Sequence, residues 1–336
     1  MKFWVLVPIG LALILIVTLI LFGIPIGESV RLLYEGALGD KFGLHRTFLK
    51  SVPLILVGLG IVVAWRAGMF NIGGEGQLLA GVSAGAASAH LFGNASGPVI
   101  TWIILAVCMA AGGLYAGVAA WLYVARGVNV VISTILLNFL TLHLVNYLVR
   151  GPLQEPTHSI PQTMSLPAES MFHVIDRQTG LHAGIFIVPV AVLLIWLWIH
   201  RSPSGFRLRL VGQNAMAARA ARVPVPRVQA MALIWSGMFC GLAGGVEYLG
   251  VSGFLFDKFS PGWGFLGIPV ALLGGLNPMG VVCSGLYFGA LFAGSKNLEA
   301  FGAATSSLVL VMQGAAVLGF VVLHEVARRR ASAATA

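Results

Sequence analysis

Two groups of residues in this sequence have the types and spacing to do chemistry. The first lies between Arg201 and Arg227, where six arginines (201, 207, 209, 219, 222 and 227) occur without a single acid. A basic run of this kind, flanked by apolar segments, is expected on the cytoplasmic face of a membrane. Inside it Asn214 is a fitting N-cap for Ala-Met-Ala-Ala-Arg-Ala-Ala, all strong helix formers, and Pro224 and Pro226 then stop the helix. A short helix so placed can dock onto a soluble partner. The second group is Asn71, Glu75 and Gln77, set among four glycines in GMFNIGGEGQ at 68–77, with Asn138 further along. So many glycines predict a broken or late-starting helix, and an acid at membrane depth faces a cavity, a partner or the interface. The functional reading is a pathway-lining element. The structural alternative is Glu75 at the positive end of a helix dipole. Asn138 falls near the middle of an apolar segment, where its amide needs an interhelical partner or a wet cavity.

Bond-making chemistry is not expected. The chain has no G-x-x-x-x-G-K-[ST] phosphate loop, no H-E-x-x-H pair and no arrangement of Ser-His-Asp or Cys-His type. No metal spacing is present, and Cys108, Cys240 and Cys283 read as small buried residues. His158, His173 and His182, scattered through the 150–183 loop, read as solvated.

The elements that must position these residues are membrane spans. Of 336 residues, 58% are hydrophobic and 9% charged, against about 25% charged in a soluble domain. Mean hydropathy is +0.93. Long continuous apolar runs exclude a β-barrel. The net charge of +9 belongs to loops and sets orientation, with no nucleic-acid partner implied. The expected fold is an all-α polytopic membrane protein, one transmembrane domain over 1–336. About ten transmembrane helices are expected, at 4–26, 47–65, 70–92, 99–125, 128–149, 184–200, 228–250, 264–277, 279–295 and 305–324. The first is read as a retained span, because its apolar run exceeds that of a signal peptide. Ten spans put both termini, and the Arg328–Arg330 tail, on the cytoplasmic side with the 201–227 loop, leaving 27–46 and 150–183 outside. Pro269, Asn277 and Pro278 interrupt 264–295, which reads as two short spans or one broken, re-entrant element. Glycines four apart (81 and 85, 113 and 117, 237, 241 and 245, 285 and 289) mark close helix packing. Ten spans also permit an inverted five-plus-five repeat.

Four stretches, in order, resemble one family. They are GMFNIGGEGQLLAG at 68–81, GVNVVISTILLNFLTLHLVNYLVRGPL at 127–153, GFRLRLVGQNAMAARAARVPVPR at 205–227 and GFLGIPVALLGGLNPMGVVCSGLYFGAL at 264–291. Together they are similar to the inner-membrane permeases of bacterial ABC importers for ribose-type sugars and nucleosides. The nucleoside branch, which works with a basic membrane protein lipoprotein, is the most similar. The resemblance implies a multi-pass subunit of the bacterial inner membrane that pairs with a second, related permease. It receives substrate from an external lipoprotein and docks a cytoplasmic ATPase that uses the ATP. No cofactor is implied for this chain itself. It also implies that the 201–227 loop is the coupling loop, with Gly205, Arg207, Arg209, Gly212, Asn214, Ala217 and Ala218 meeting the ATPase. Asn71, Glu75, Gln77 and Asn138 are the expected pathway residues. Ala215 stands where the family has proline, and Arg222-Val223 where it has Gly-Ile. A sugar permease and a self-sufficient secondary transporter remain the alternative readings.

Overall fold

The computed structural model describes residues 20, 25–93, 96–300, 311, 314, 315, 318 and 319. The helices in chain order are α1 Ile26–Tyr34, α2 Lys41–Arg66, α3 Gly74–Phe92, α4 Pro98–Arg126, α5 Val130–Val149, α6 Ile187–Arg201, α7 Pro203–Gln213, α8 Ala215–Ala220, α9 Val225–Glu247, α10 Trp263–Leu273 and α11 Pro278–Ala300. A small antiparallel hairpin, β1 Val174–Asp176 with β2 Leu181–His182, lies before α6. Contacts divide the chain into two compact units, Val52–Gly285 and Met1–Ser51 with Leu286–Ala336.

In the larger unit, α3, α4 and α9 make the core, and glycine sets their spacing. A Cβ at Gly112 would land on the Gly237 carbonyl, and one at Gly241 on the Cys108 carbonyl, so α4 and α9 touch backbone to backbone. A Cβ at Gly81, on α3, would stand 2.8 Å from Gly241 Cα. In lipid, where burial of apolar side chains gives little preference for helix contact, such close dispersion packing holds the bundle together. Helix α5 joins through the Tyr115 hydroxyl, which donates to the Leu137 carbonyl at 2.8 Å. On one edge the 150–183 loop pairs with the segment before α10: Thr163 N–H donates to Leu255 O, Leu166 N–H to Gly253 O and Phe172 N–H to Leu249 O.

The smaller unit is built on α1 and the π-helical turn Glu35–Gly39. Thr47 Oγ1 donates to the Ala37 carbonyl at 2.8 Å, and Gly294 lies against the Leu33 backbone.

Six helices among the described residues are long and apolar enough to cross a membrane: Lys41–Arg66, Pro98–Arg126, Val130–Val149, Ala183–Arg201, Val225–Ser252 and Pro278–Ala300. They stand where spans were expected. The expected 70–92 span begins late, at Gly74, because the residues before it form a non-helical turn. The expected 264–277 span is the eleven-residue α10, too short to cross at 1.5 Å per residue. Pro269 sits inside it, and the break falls at Gly275 and Leu276, whose φ values are +63° and +51°. The expected spans 4–26 and 305–324, and the arginine tail, lie outside the described residues apart from single positions and the start of α1.

Two readings of single residues change. Cys283 is exposed, because it stands on the outward face of α11, while Cys108 and Cys240 are buried. His182 is buried, unlike His158 and His173, because its ring stacks on Phe172 at 5.9 Å and fills the space left by Gly250.

Candidate functional site

The pathway candidates are drawn together into one buried polar knot. After α2 ends at Arg66, the chain turns through Gly68 (φ +75°) and runs unwound to Gly74. Asn71 closes that segment. Its amide donates to Gln77 Oε1 and to Ser236 Oγ, both at 2.9 Å, while its own oxygen accepts from Gln77 Nε2 and Gly73 N–H. Asn138 reaches across from α5, accepting from Gly76 N–H at 2.8 Å and donating to the Ile72 carbonyl at 2.9 Å. Thr134 adds its hydroxyl as acceptor for Ile72 N–H. Asn71, Gln77, Asn138, Thr134 and Ser236 are all buried. Buried in this way, each of these amides would be costly without a partner, and each has one.

Glu75 lies in the first turn of α3 and is equally buried. One carboxylate oxygen accepts the Gly264 N–H at 2.7 Å, in the first turn of α10. The acid therefore sits at the positive ends of two helices and joins them. Ser236, Thr134 and Gly264 complete this site and were not singled out as site residues from sequence. Serine and threonine are ordinary packing residues in spans, and nothing local links Gly264 to Glu75.

The basic segment forms the second part. Ser202 caps α7, its hydroxyl accepting Gly205 N–H at 3.0 Å. Gly205 is buried against the end of α6, where a Cβ would overlap the Trp198 carbonyl. Asn214 then caps α8 as its sequence predicts, its side chain accepting from Met216 and Ala217 N–H at 3.0 Å each. Ala218 is fully buried and packs with Val211 and Val225, which fixes α8 on its base. Met216, 79% exposed, and Ala217, Arg219 and Arg222 face outward. Arg222 follows α8 at φ +58°, a left-handed position that glycine fills without strain. Arg207 is exposed, and Arg209 lies within Coulombic range of Arg66 with its Nε buried and unpaired among the described residues.

The two parts meet at Gly212. A Cβ there would fall on the Arg66 carbonyl oxygen, 2.8 Å from Arg66 C and 3.3 Å from Gly68 N. Helix α7 thus abuts the turn that leads into the polar knot. Arg66 also donates from Nε to the Leu276 carbonyl at 2.6 Å, and Gln229 donates to the Ala67 carbonyl. Among the described residues no group of His, Cys, Asp and Glu could hold a metal ion.

Comparison with known proteins agrees with this architecture. Residues 43–321 match the model of the family described as branched-chain amino acid transport system / permease component. The chain is 35% identical over 293 residues to the guanosine ABC transporter permease protein of Bacillus subtilis, covering 85% of this chain and 82% of that one. It is 33% identical over 312 residues to the glucose ABC transporter permease protein of Haloferax volcanii, covering 90% and 82%. It is 27% identical over 275 residues to the nucleoside ABC transporter permease protein of Lactococcus lactis subsp. cremoris, covering 79% and 76%. No solved structure matches. A transport subunit rather than a catalyst, the chain belongs to the family of ABC transporter permease components described for branched-chain amino acid transport systems.

Proposed function

We propose that this permease imports nucleosides across a bacterial inner membrane, with both termini in the cytoplasm. It works with a second, related permease, a cytoplasmic ATPase that uses ATP, and an external substrate-binding lipoprotein. The full chain then has about ten crossings, arranged as two inverted halves of five, with α10 and the non-helical chain before it crossing together as one broken element. The observation that carries the reading is α8: a capped six-residue helix, anchored by Ala218, that presents Met216, Ala217 and Arg219 away from the bundle. Such a helix fits a cleft in the ATPase. Arg209, Arg219 and Arg222 would meet an acidic rim there, since the 201–227 loop holds no acid of its own.

ATP-driven closure would press α7 through Gly212 onto the Arg66–Gly68 turn. That turn carries Asn71, whose bonds to Gln77 and Ser236 tie it to α3 and α9. Glu75 then passes the motion to α10 through its bond with Gly264 N–H. In this reading Asn71, Glu75, Gln77 and Asn138 govern the pathway by holding its broken segment, and the 150–183 loop faces the lipoprotein. The nucleoside assignment leans on the guanosine and nucleoside permeases among the relatives. Glucose, transported by the Haloferax relative, is the second reading.

Uptake of radiolabelled guanosine and glucose in cells with and without the gene tests this. Guanosine uptake lost with the gene, and competed by nucleosides but not by ribose or glucose, is the expected result. Intact guanosine uptake beside lost sugar uptake would overturn the nucleoside assignment.

A further inference from the structure

A groove on the outer face of α6, α7 and α9 has no part in the pathway or in α8. It encloses about 260 Å³ and is walled by Trp198, Trp235, Met231 and Leu208, with Arg207 and Arg227 at its mouth. The two indoles lie 5.6 Å apart, centroid to centroid. Met231 is 52% exposed and Trp235 36%, and exposed Leu194 and Leu197 continue the apolar surface along α6. Arg207 and Arg227 make no hydrogen bond or ion pair with any described residue. The reason is visible in the sequence, where no acid occurs between Asp176 and Glu247.

The geometry points to a binding site for an anionic phospholipid of the leaflet that borders the 201–227 loop. Trp198 lies near the C-terminal end of the α6 span, and Arg227 lies in the first turn of the α9 span, so both sit at headgroup level. Two arginines there would hold a phosphodiester by charge-assisted hydrogen bonds, with Arg offering a paired fork to its oxygens. The acyl chain would lie over Trp198, Trp235 and Met231. At about 10–15 Å³ of such space per water-sized group, the groove has room for a glycerophosphate headgroup. A free soluble anion would leave the indole and methionine walls unused. An acidic protein side chain would have to enter from the lipid side. Lipid accounts for both halves of the groove.

The test uses the full-length chain in nanodiscs of phosphatidylcholine. Brominated phosphatidylglycerol or brominated phosphatidylcholine is added at increasing mole fraction, and tryptophan quenching is read. The Trp198→Phe/Trp235→Phe pair isolates the groove signal from the other tryptophans. Phosphatidylglycerol should half-quench at a mole fraction on the order of tenfold lower than phosphatidylcholine, given the attraction of each arginine to an anionic leaflet. R207Q/R227Q should abolish that preference, and R219Q, on the outward face of α8, should keep it. Because the double variant can disturb α7, the single R227Q should by itself shrink the preference severalfold. Equal quenching by the two lipids would overturn the proposal. So would displacement of the lipid by millimolar glycerol 3-phosphate, which would mark a soluble-anion site. Protection of both indoles from either lipid would mean that a protein face covers the groove, and would overturn it too.

Discussion

Replacing Gly212 by alanine should reverse the usual sign of a glycine-to-alanine change inside a helix. Gly212 lies within α7, where helix propensity alone favours alanine by about 1 kcal/mol. The added methyl, however, would sit on the Arg66 carbonyl oxygen and 2.8 Å from Arg66 C, against 3.4 Å or more for ordinary contact. Backbone atoms supply the clash, so no side chain can rotate away. Helix α7 must move off the end of α2 by about half an ångström or more, at a cost of about 1–3 kcal/mol. After the propensity gain, the docked arrangement loses up to about 2 kcal/mol, or roughly thirtyfold in its equilibrium constant. The assay is solute moved per ATP hydrolysed by the reconstituted importer. Gly212→Ala should lower that ratio several-fold and Gly212→Leu should lower it further, with membrane levels of the protein maintained on immunoblots. Gly27→Ala, where an added Cβ meets nothing within 4 Å, is the control and should be silent. A Gly212→Ala permease that couples as well as the parent, or better, would refute the transmission of force through Arg66.

Asn138→Ala removes the acceptor of Gly76 N–H and the donor to Ile72 O, so it should destabilise the protein by about 2–4 kcal/mol, seen as a lower thermal midpoint in detergent. Asn138→Asp keeps the acceptor alone and should bring no recovery, because a buried charge replaces the lost donor. Glu75→Gln keeps an oxygen for Gly264 N–H and should retain much of the uptake that Glu75→Ala loses; equal loss in both would assign Glu75 a role that needs its charge. Arg222→Gly relieves the left-handed strain at φ +58° and should raise stability by about 0.5–1 kcal/mol, read by chemical denaturation. Burial lowers the pKa of His182 from 6.5 to about 4. The undocked loop therefore binds the extra proton, so docking of 150–183 is complete above pH 6.5 and weakens as pH falls towards 4, by up to about tenfold per unit. Hydrogen exchange of that loop between pH 7 and 4.5 should show the loss of protection, and His182→Phe should flatten it.

How far the sequence discloses this structure depends on the reach of each interaction. The Asn214 cap, the late start of α3 at Gly74 and the break after α10 are set by neighbours within a few residues, and the sequence carries them in plain form. Arg222 in place of glycine marked the exit from α8, and the backbone there is left-handed. The burial of His182 escapes a local reading, because Phe172 and Gly250 reach it from different parts of the chain. The contact of Gly212 with Arg66, and that of Glu75 with Gly264, are likewise invisible until the helices assemble.

Those long-range contacts alter what the polar residues are for. An asparagine in mid-span reads as a helix fastener or as a substrate ligand, and Asn71 and Asn138 spend their hydrogen bonds on backbone, amide and hydroxyl partners inside one chain. Asn71, with both amide hydrogens and both acceptor positions of its oxygen engaged, can act on a solute only by changing partners. Such a change needs a second arrangement of the unwound 67–73 segment with comparable free energy. The glycines at 68, 73 and 74 make the backbone of that segment permissive, while the bond from Gly264 to Glu75 limits how far it can go. If the chain works as proposed, the knot would pass between two such discrete arrangements, as alternating access demands.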